Sequence, residues 1–172
     1  MTGILIFSSI LILYFVAKFN GLVRSKNRVD YAVGGMNAIL KKRFDLIPNL
    51  IDTVKVYVDI EKEMLARLDN IRAGKTDLIA ADEDSTHMLA TLLRSADSIP
   101  QLKAGKNFLH LQQTMSEVEE QLSAARRTYN ANVMVYNNKI GTVPSSVFAK
   151  LLKYEELPMF SSENIKKTSF VQ

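Results

Sequence analysis

Few side chains in this sequence stand where catalysis would need them. There is no cysteine, so thiolate chemistry and sulfur-ligated zinc are both excluded, and the two histidines are His87 and His110. A di-iron bundle needs two Glu-x-x-His motifs and two further Glu on facing helices. The chain offers only Asp84-x-x-His87, and at the same spacing His110 is preceded by Asn107. Neither histidine has a serine or carboxylate at a triad-like spacing, and Gly105-Lys106 lacks the framework of a phosphate loop. Both histidines read as solvated surface groups, and Glu119-Glu120 and Asp82-Glu83-Asp84 are most simply solvated acids. The expectation is no catalytic residue, no cofactor and no metal, hence no enzyme.

One polar set calls for a different explanation. Glu119, Arg126, Asn130 and Asn137 recur at spacings of 7, 4 and 7, a stripe beside an apolar seam, and Glu61 falls inside another apolar stripe. A charge buried alone costs several kcal/mol, so these groups must be paired or hydrogen-bonded. They read as a structural polar network rather than a ligand site, with Glu61 expected to pair with Arg126 across a bundle.

The elements that hold these residues are helices, since no stretch alternates strictly between apolar and polar. A first helix carries Val23, Val29, Val33, Met36, Leu40 and Phe44, and Gly34-Gly35 interrupts it as a bend or a close approach. A second carries Ile47, Leu50, Ile51, Val54, Tyr57, Val58, Met64, Leu65, Leu68 and Ile71, ending near Ala73-Gly74. Between them Pro48 lacks a donor and disfavours helical angles at Ile47. The expectation is a tight turn at Arg43-x-Asp45-Leu-Ile-Pro48-Asn49, with the two helices antiparallel through Leu40, Phe44, Leu50 and Val54. A loop from Lys75 to Asp84 then precedes a short third helix through Met88, Leu89, Leu92, Leu93 and Ala96, capped by Ser85 or Asp84 and stopped before Pro100.

The fourth helix gives the strongest signal. Phe108, Leu111, Met115, Val118, Leu122, Ala125, Tyr129, Val133, Tyr136 and Ile140 follow one another at steps of three or four, between Asn107 as N-cap and Gly141 as stop. A seam this regular, facing shorter helices on short links, predicts an all-α chain whose body is an up-and-down four-helix bundle. A coiled-coil dimer through this helix is the competing architecture.

From Met1 to Ala17 there is no charged side chain, and at about 1.5 Å per residue the run reaches roughly 25 Å, the low end of a membrane span. It lacks a basic start and a small-residue cleavage site, so it reads as a retained anchor rather than a signal peptide. Lys18, Arg24, Lys26 and Arg28 follow it. The positive-inside rule then puts the N-terminus outside and the remainder in the cytoplasm. Residues 18–43 carry +6, whereas residues 44–172 carry −2, so the basic character is a juxtamembrane property. Without stacking aromatics or a recognisable motif, it does not point to nucleic acid. The organisation expected is an anchor at 1–19, a bundle at 20–141 and a tail at 142–172 with a short amphipathic segment.

The motifs also carry a resemblance. Asn20-x-Leu22-Val23, Leu40-Lys-Lys-Arg43-x-Asp45-Leu-Ile-Pro48-Asn49-Leu-Ile51 and Val54-Lys-x-Tyr57 with Glu61 resemble the first half of the LemA family of bacterial membrane-anchored proteins. Pro100-x-Leu-Lys-Ala104-x-x-Asn107-Phe108-x-x-Leu111-Gln112, then Glu119, Ala125-Arg126-x-x-Tyr129-Asn130, Val133 and Tyr136-Asn137, are similar to its second half. The resemblance covers about residues 1–160, and it implies an N-terminal anchor, a helical cytoplasmic domain and no established catalytic activity. The chain departs from the family at Ala32-Val33-Gly34-Gly35-Met36, where Ala-Trp, a polar pair and Ile are common. It also has Ile60 where a His often precedes the glutamate, and Val143-Pro144 where Phe-Pro is usual.

The function expected is that of a non-enzymatic, single-pass adaptor or scaffold in the bacterial cytoplasmic (inner) membrane, whose partners are that membrane and other membrane or envelope proteins. A second copy of the chain is also expected as a partner, since Gly3 and Ser8-Ser9 let helices approach in lipid. The alternative is a membrane-shaping or lipid-associated assembly using the basic neck and the segment Val147–Tyr154, and a third reading is an enzyme with an unrecognised site.

Overall fold

The computed structural model describes residues 1–55, 57 and 62–160, with Lys62 and Glu63 described by their backbone alone. Among these residues the chain is all-helical. The helices are α1 (Thr2–Val54), α2 (Lys62–Arg72), α3 (Leu78–Asp97), α4 (Pro100–Lys103), α5 (Lys106–Gly141) and α6 (Ser145–Leu151). They build two compact units, one from Met1–Gly34 and Arg127–Met159, the other from Gly35–Arg126 with Phe160. Helices α1 and α5 contribute residues to both.

In the first unit the N-terminal part of α1 is apolar and long enough to cross a membrane, and its side chains are uncovered. From Leu22 the same helix buries Leu22, Ser25, Val29 and Ala32 at steps of three and four. The end of α5 buries Tyr129, Val133 and Tyr136, three of the ten seam positions read from the sequence. Lys139 Nζ donates to the Gly21 carbonyl at 2.8 Å and so joins the two helices. After α6 the chain runs back along α5. Tyr129 Oη donates to Pro158 O at 3.0 Å and Tyr136 Oη to Glu155 O at 3.1 Å. Asn137 donates to Leu157 O at 2.9 Å and accepts from its N–H at 3.1 Å. Burial pushes both phenols above the usual tyrosine range, so they remain donors over a wide span of pH.

The second unit corrects the expected turn at Pro48. Met36, Leu40, Arg43, Phe44, Ile47, Leu50, Ile51 and Val54 form one buried stripe, and α1 runs through Pro48 without a break. Proline deprives the carbonyl four residues earlier, that of Phe44, of its helical donor. Arg72 at the end of α2 supplies one instead, with Nη2 3.3 Å from Phe44 O. Helix α1 continues past Ile47-Pro48 to Val54, so Leu40 and Phe44 lie on the same helix as Leu50 and Val54 instead of facing them. The Gly34-Gly35 pair is likewise helical, and an added Cβ on either would meet nothing within 4 Å, so it is not a close approach.

A double-mutant cycle checks the role of Arg72. Arg72→Met is expected to cost about 1 kcal/mol in the native sequence. In a Pro48→Ala background, where residue 48 again donates to Phe44, the cost should fall to near zero. Equal costs in the two backgrounds, measured by urea titration, would refute the substitution of one donor for the other.

Helix α2 ends at a glycine, as expected. Gly74 adopts φ +67°, and Gly74 N–H and Lys75 N–H bond back to Ile71 and Asn70 at 3.0 and 3.2 Å. Helix α3 begins seven residues before the expected start. Its cap is Asp77, whose carboxylate accepts from Ile79 N and Ala80 N at 3.0 and 3.1 Å, not Ser85 or Asp84. Most of the supposed loop from Lys75 to Asp84 is therefore helix, and Asp82 sits on its buried face. Helix α5 buries Phe108, Met115, Val118 and Leu122 in this unit.

Candidate functional site

The second unit holds four charged side chains in its interior. Arg43 comes from α1, Asp82 from α3, and Glu119 and Arg126 from α5; three of their side chains are 1–2% exposed and Glu119 is 15% exposed. Each is delivered by a helix face whose neighbours are apolar. Arg43 lies between Leu40 and Ile47, Asp82 precedes Ser85 and Met88 by one and two turns, and Arg126 follows Leu122 by one.

Arg126 grips Asp82 side-on, with Nε and Nη2 each 2.6 Å from a carboxylate oxygen, and sends Nη1 to Glu119 Oε1 at 3.0 Å. Arg43 Nη1 reaches Asp82 Oδ1 at 3.4 Å and the Thr86 hydroxyl at 3.1 Å. That hydroxyl donates in turn to the Asp82 carbonyl at 2.8 Å. Arg43 Nη2 stands 2.9 Å from Glu119 Oε2 in an ionic contact that lacks hydrogen-bond alignment, and Arg43 Nε has no acceptor. Two cations and two anions thus alternate in a closed ring of zero net charge that ties α1, α3 and α5 together.

The electrostatics of the arginines differ. Burial, the largest effect on Arg43, pulls it below its ordinary range despite Glu119 and Asp82. For Arg126 the same burial penalty is outweighed by the hydrogen bonds and charges of Asp82 and Glu119, which hold it above its ordinary range. A guanidinium cannot deliver protons near neutral pH. The arrangement is a clasp between helices, suited to fixing their register rather than to acid–base chemistry.

Placed against the sequence reading, Glu119 and Arg126 do meet, and Arg43 joins them instead of marking a turn. Asp82 was expected in water and is buried, because the earlier start of α3 puts it on the same face as Ser85, Met88, Leu89 and Leu92. The expected partner Glu61 lies outside the described residues; the acids that Arg126 holds are Asp82 and Glu119. Asn137 belongs to the first unit and fastens Leu157, and Asn130 is half-buried in the same unit. Asp45 is exposed, 3.9 Å from Arg72, and the Asn49 carbonyl accepts from Thr53 at 2.6 Å inside α1. Of the basic neck, Lys18 lies over the Tyr14 ring, Lys26 pairs with Asp30, and Arg24 and Arg28 are exposed. His87 and His110 are exposed, and among the described residues no group of three or more His, Asp or Glu could hold a metal.

The signal for Asp82 was present in the sequence. Asp77 followed by Leu78-Ile79 is a cap before an apolar run, and counting from it puts Asp82 in phase with the core positions.

The family model of the LemA family matches residues 32–172. Protein LemA of Metamycoplasma hominis (strain ATCC 23114 / DSM 25592 / NBRC 14850 / NCTC 10111 / PG21) is 26% identical over 160 residues, spanning 89% of this chain and 73% of that protein. The family match spans Arg43, Asp82, Glu119 and Arg126.

Proposed function

The chain belongs to the LemA family, and from that premise we propose that it is a non-enzymatic, single-pass adaptor or scaffold of the cytoplasmic membrane. The observation that carries this is the change of environment along α1. Ile4, Leu5, Phe7 and Leu13 are uncovered, each between 67% and 72% exposed, whereas Leu22 and Met36 of the same helix are fully buried. Burial of apolar surface is favourable by about 25 cal/mol per Å², so the first stretch is matched to lipid and the second to protein. Lys18, Arg24, Lys26 and Arg28 follow the uncovered stretch and favour a cytoplasmic C-terminal side. The buried ion ring gives the second unit a fixed shape, which is what an adaptor presents to a membrane or envelope partner, including another copy of itself.

Two measurements test this reading. Alkaline carbonate should leave the full-length protein in the membrane pellet and release a variant lacking residues 2–17; release of the full chain would overturn the anchor. Photocrosslinkers at Tyr31 and Leu109, both exposed, should give discrete adducts with membrane proteins or with a second copy at native expression levels. Monomer alone at every position tested would overturn the adaptor.

A further inference from the structure

We propose that α6 is seated in the surface of the bilayer, with phospholipid as its occupant, through the stripe Val143, Val147 and Leu151. The proposal rests on the reading of α1 as a membrane anchor and adds a second point of contact with the lipid. The Phe148 ring meets Phe15 edge-on with centroids 6.1 Å apart and Phe19 in the same manner at 5.6 Å. Phe15 belongs to the uncharged run that ends at Ala17, and Phe19 stands just past Lys18. These ring contacts fix the depth of α6, beside the last turn of the span, where acyl chains give way to headgroups.

The exposed face of α6 suits that depth. With 3.6 residues per turn, Ser145, Ala149 and Leu152 share one side of the helix, and Ser145 and Ala149 are buried. Val147 and Leu151 share another side and are 63% and 79% exposed, while Val143, one turn earlier in the chain, is 77% exposed. Phe148 lies between these two sides. The uncovered stripe is therefore continuous, through Phe148, with the aromatic end of the span. Lys150 and Lys153 are exposed on the remaining surface, and Lys18 is exposed where the span ends. Long ammonium side chains reach outward from such a depth to anionic headgroups, while aliphatic neighbours sink about 5–10 Å into the boundary. A protein partner would have to enter the acyl-chain layer to cover the same residues, which makes lipid the occupant.

The absence of tryptophan from the chain makes the test direct. Single-tryptophan variants of the full-length protein, Val147→Trp, Leu151→Trp, Leu11→Trp and Tyr31→Trp, are reconstituted in phosphatidylcholine vesicles containing phosphatidylglycerol, with bromine on the upper acyl chain. Leu11 reports the span, and Tyr31, 86% exposed and about 18 Å along α1 from Phe19, reports the body. Val147→Trp and Leu151→Trp should be blue-shifted and lose about half of their emission to bromine, as expected for residues at this depth. Tyr31→Trp should keep its emission. Quenching of Leu11→Trp with none at Val147→Trp or Leu151→Trp would overturn the seating of α6 and leave the anchor intact. An unquenched Leu11→Trp would overturn the anchor, and the proposal with it.

Discussion

Asp82→Ala is expected to destabilise the chain by about 3–5 kcal/mol, the cost of leaving a buried charge without its partner. Among the described residues, Asp82 is the group that takes both a side-on grip from Arg126 and a contact from Arg43. Without it two buried guanidiniums are left to share Glu119. Domains of this size are stable by about 5–15 kcal/mol, so the loss is a large part of the total. Urea titration of the full chain in detergent micelles, followed by circular dichroism, reads it as a shifted midpoint. The exposed pair Lys55–Asp52, at 2.6 Å with both side chains more than half exposed, is the control. Lys55→Ala should change stability by less than about 0.5 kcal/mol, because solvent and salt screen such a pair. The double variant Asp82→Leu with Arg126→Met should recover most of the loss, since an apolar pair of similar volume removes both the charge and its unmet demand, and leaves Arg43 with Glu119. A cost below about 1 kcal/mol for Asp82→Ala would show that the ring holds nothing together.

The second large effect concerns orientation. Replacing Lys18, Arg24, Lys26 and Arg28 by Gln and adding three Lys after Met1 should move the basic residues from one end of the span to the other and reverse it. Protease added to intact spheroplasts should leave the native C-terminal side uncut and digest that of the variant. Digestion of the native chain would place the body, and every partner it binds, on the outer face. The variant keeps the ion ring unaltered, so its circular dichroism spectrum should match that of the native chain, which separates inversion from unfolding.

How far the sequence was legible varied with the kind of signal. The α5 seam was read nearly whole, and Phe108, Met115, Val118, Leu122, Tyr129, Val133 and Tyr136 are buried as its spacing predicts. Such a pattern is local, because a helix places residues three and four apart on one side whatever lies opposite. The stop at Gly74 was legible for a similar reason, since few residues adopt positive φ as readily as glycine. Pro48 was misread because its cost depends on the fate of the Phe44 carbonyl, and the donor that meets it, Arg72, is 28 residues away. No window of sequence around a proline contains that information.

The polar site divides along the same line. The spacing of Glu119 and Arg126 on one helix marked them as a linked pair, but their other partners, Arg43 and Asp82, are 39 residues apart from each other in the chain. Asp82 also shifted from loop to core when α3 began at Leu78, capped by Asp77, since a few residues of helix decide which side chains turn inward. By itself the sequence determined the helical class, the apolar N-terminal stretch and its basic flank, all of which follow from periodicity, composition or local order, and its motifs carried the resemblance to the family. Only the tertiary structure decided which carboxylates meet which guanidiniums, that α1 continues through Pro48, and that the aromatic ring of α6 stands against the end of the apolar stretch. These depend on groups distant in the chain arriving at one place, and the free energy of a buried charge or an unpaired carbonyl is set by what arrives there.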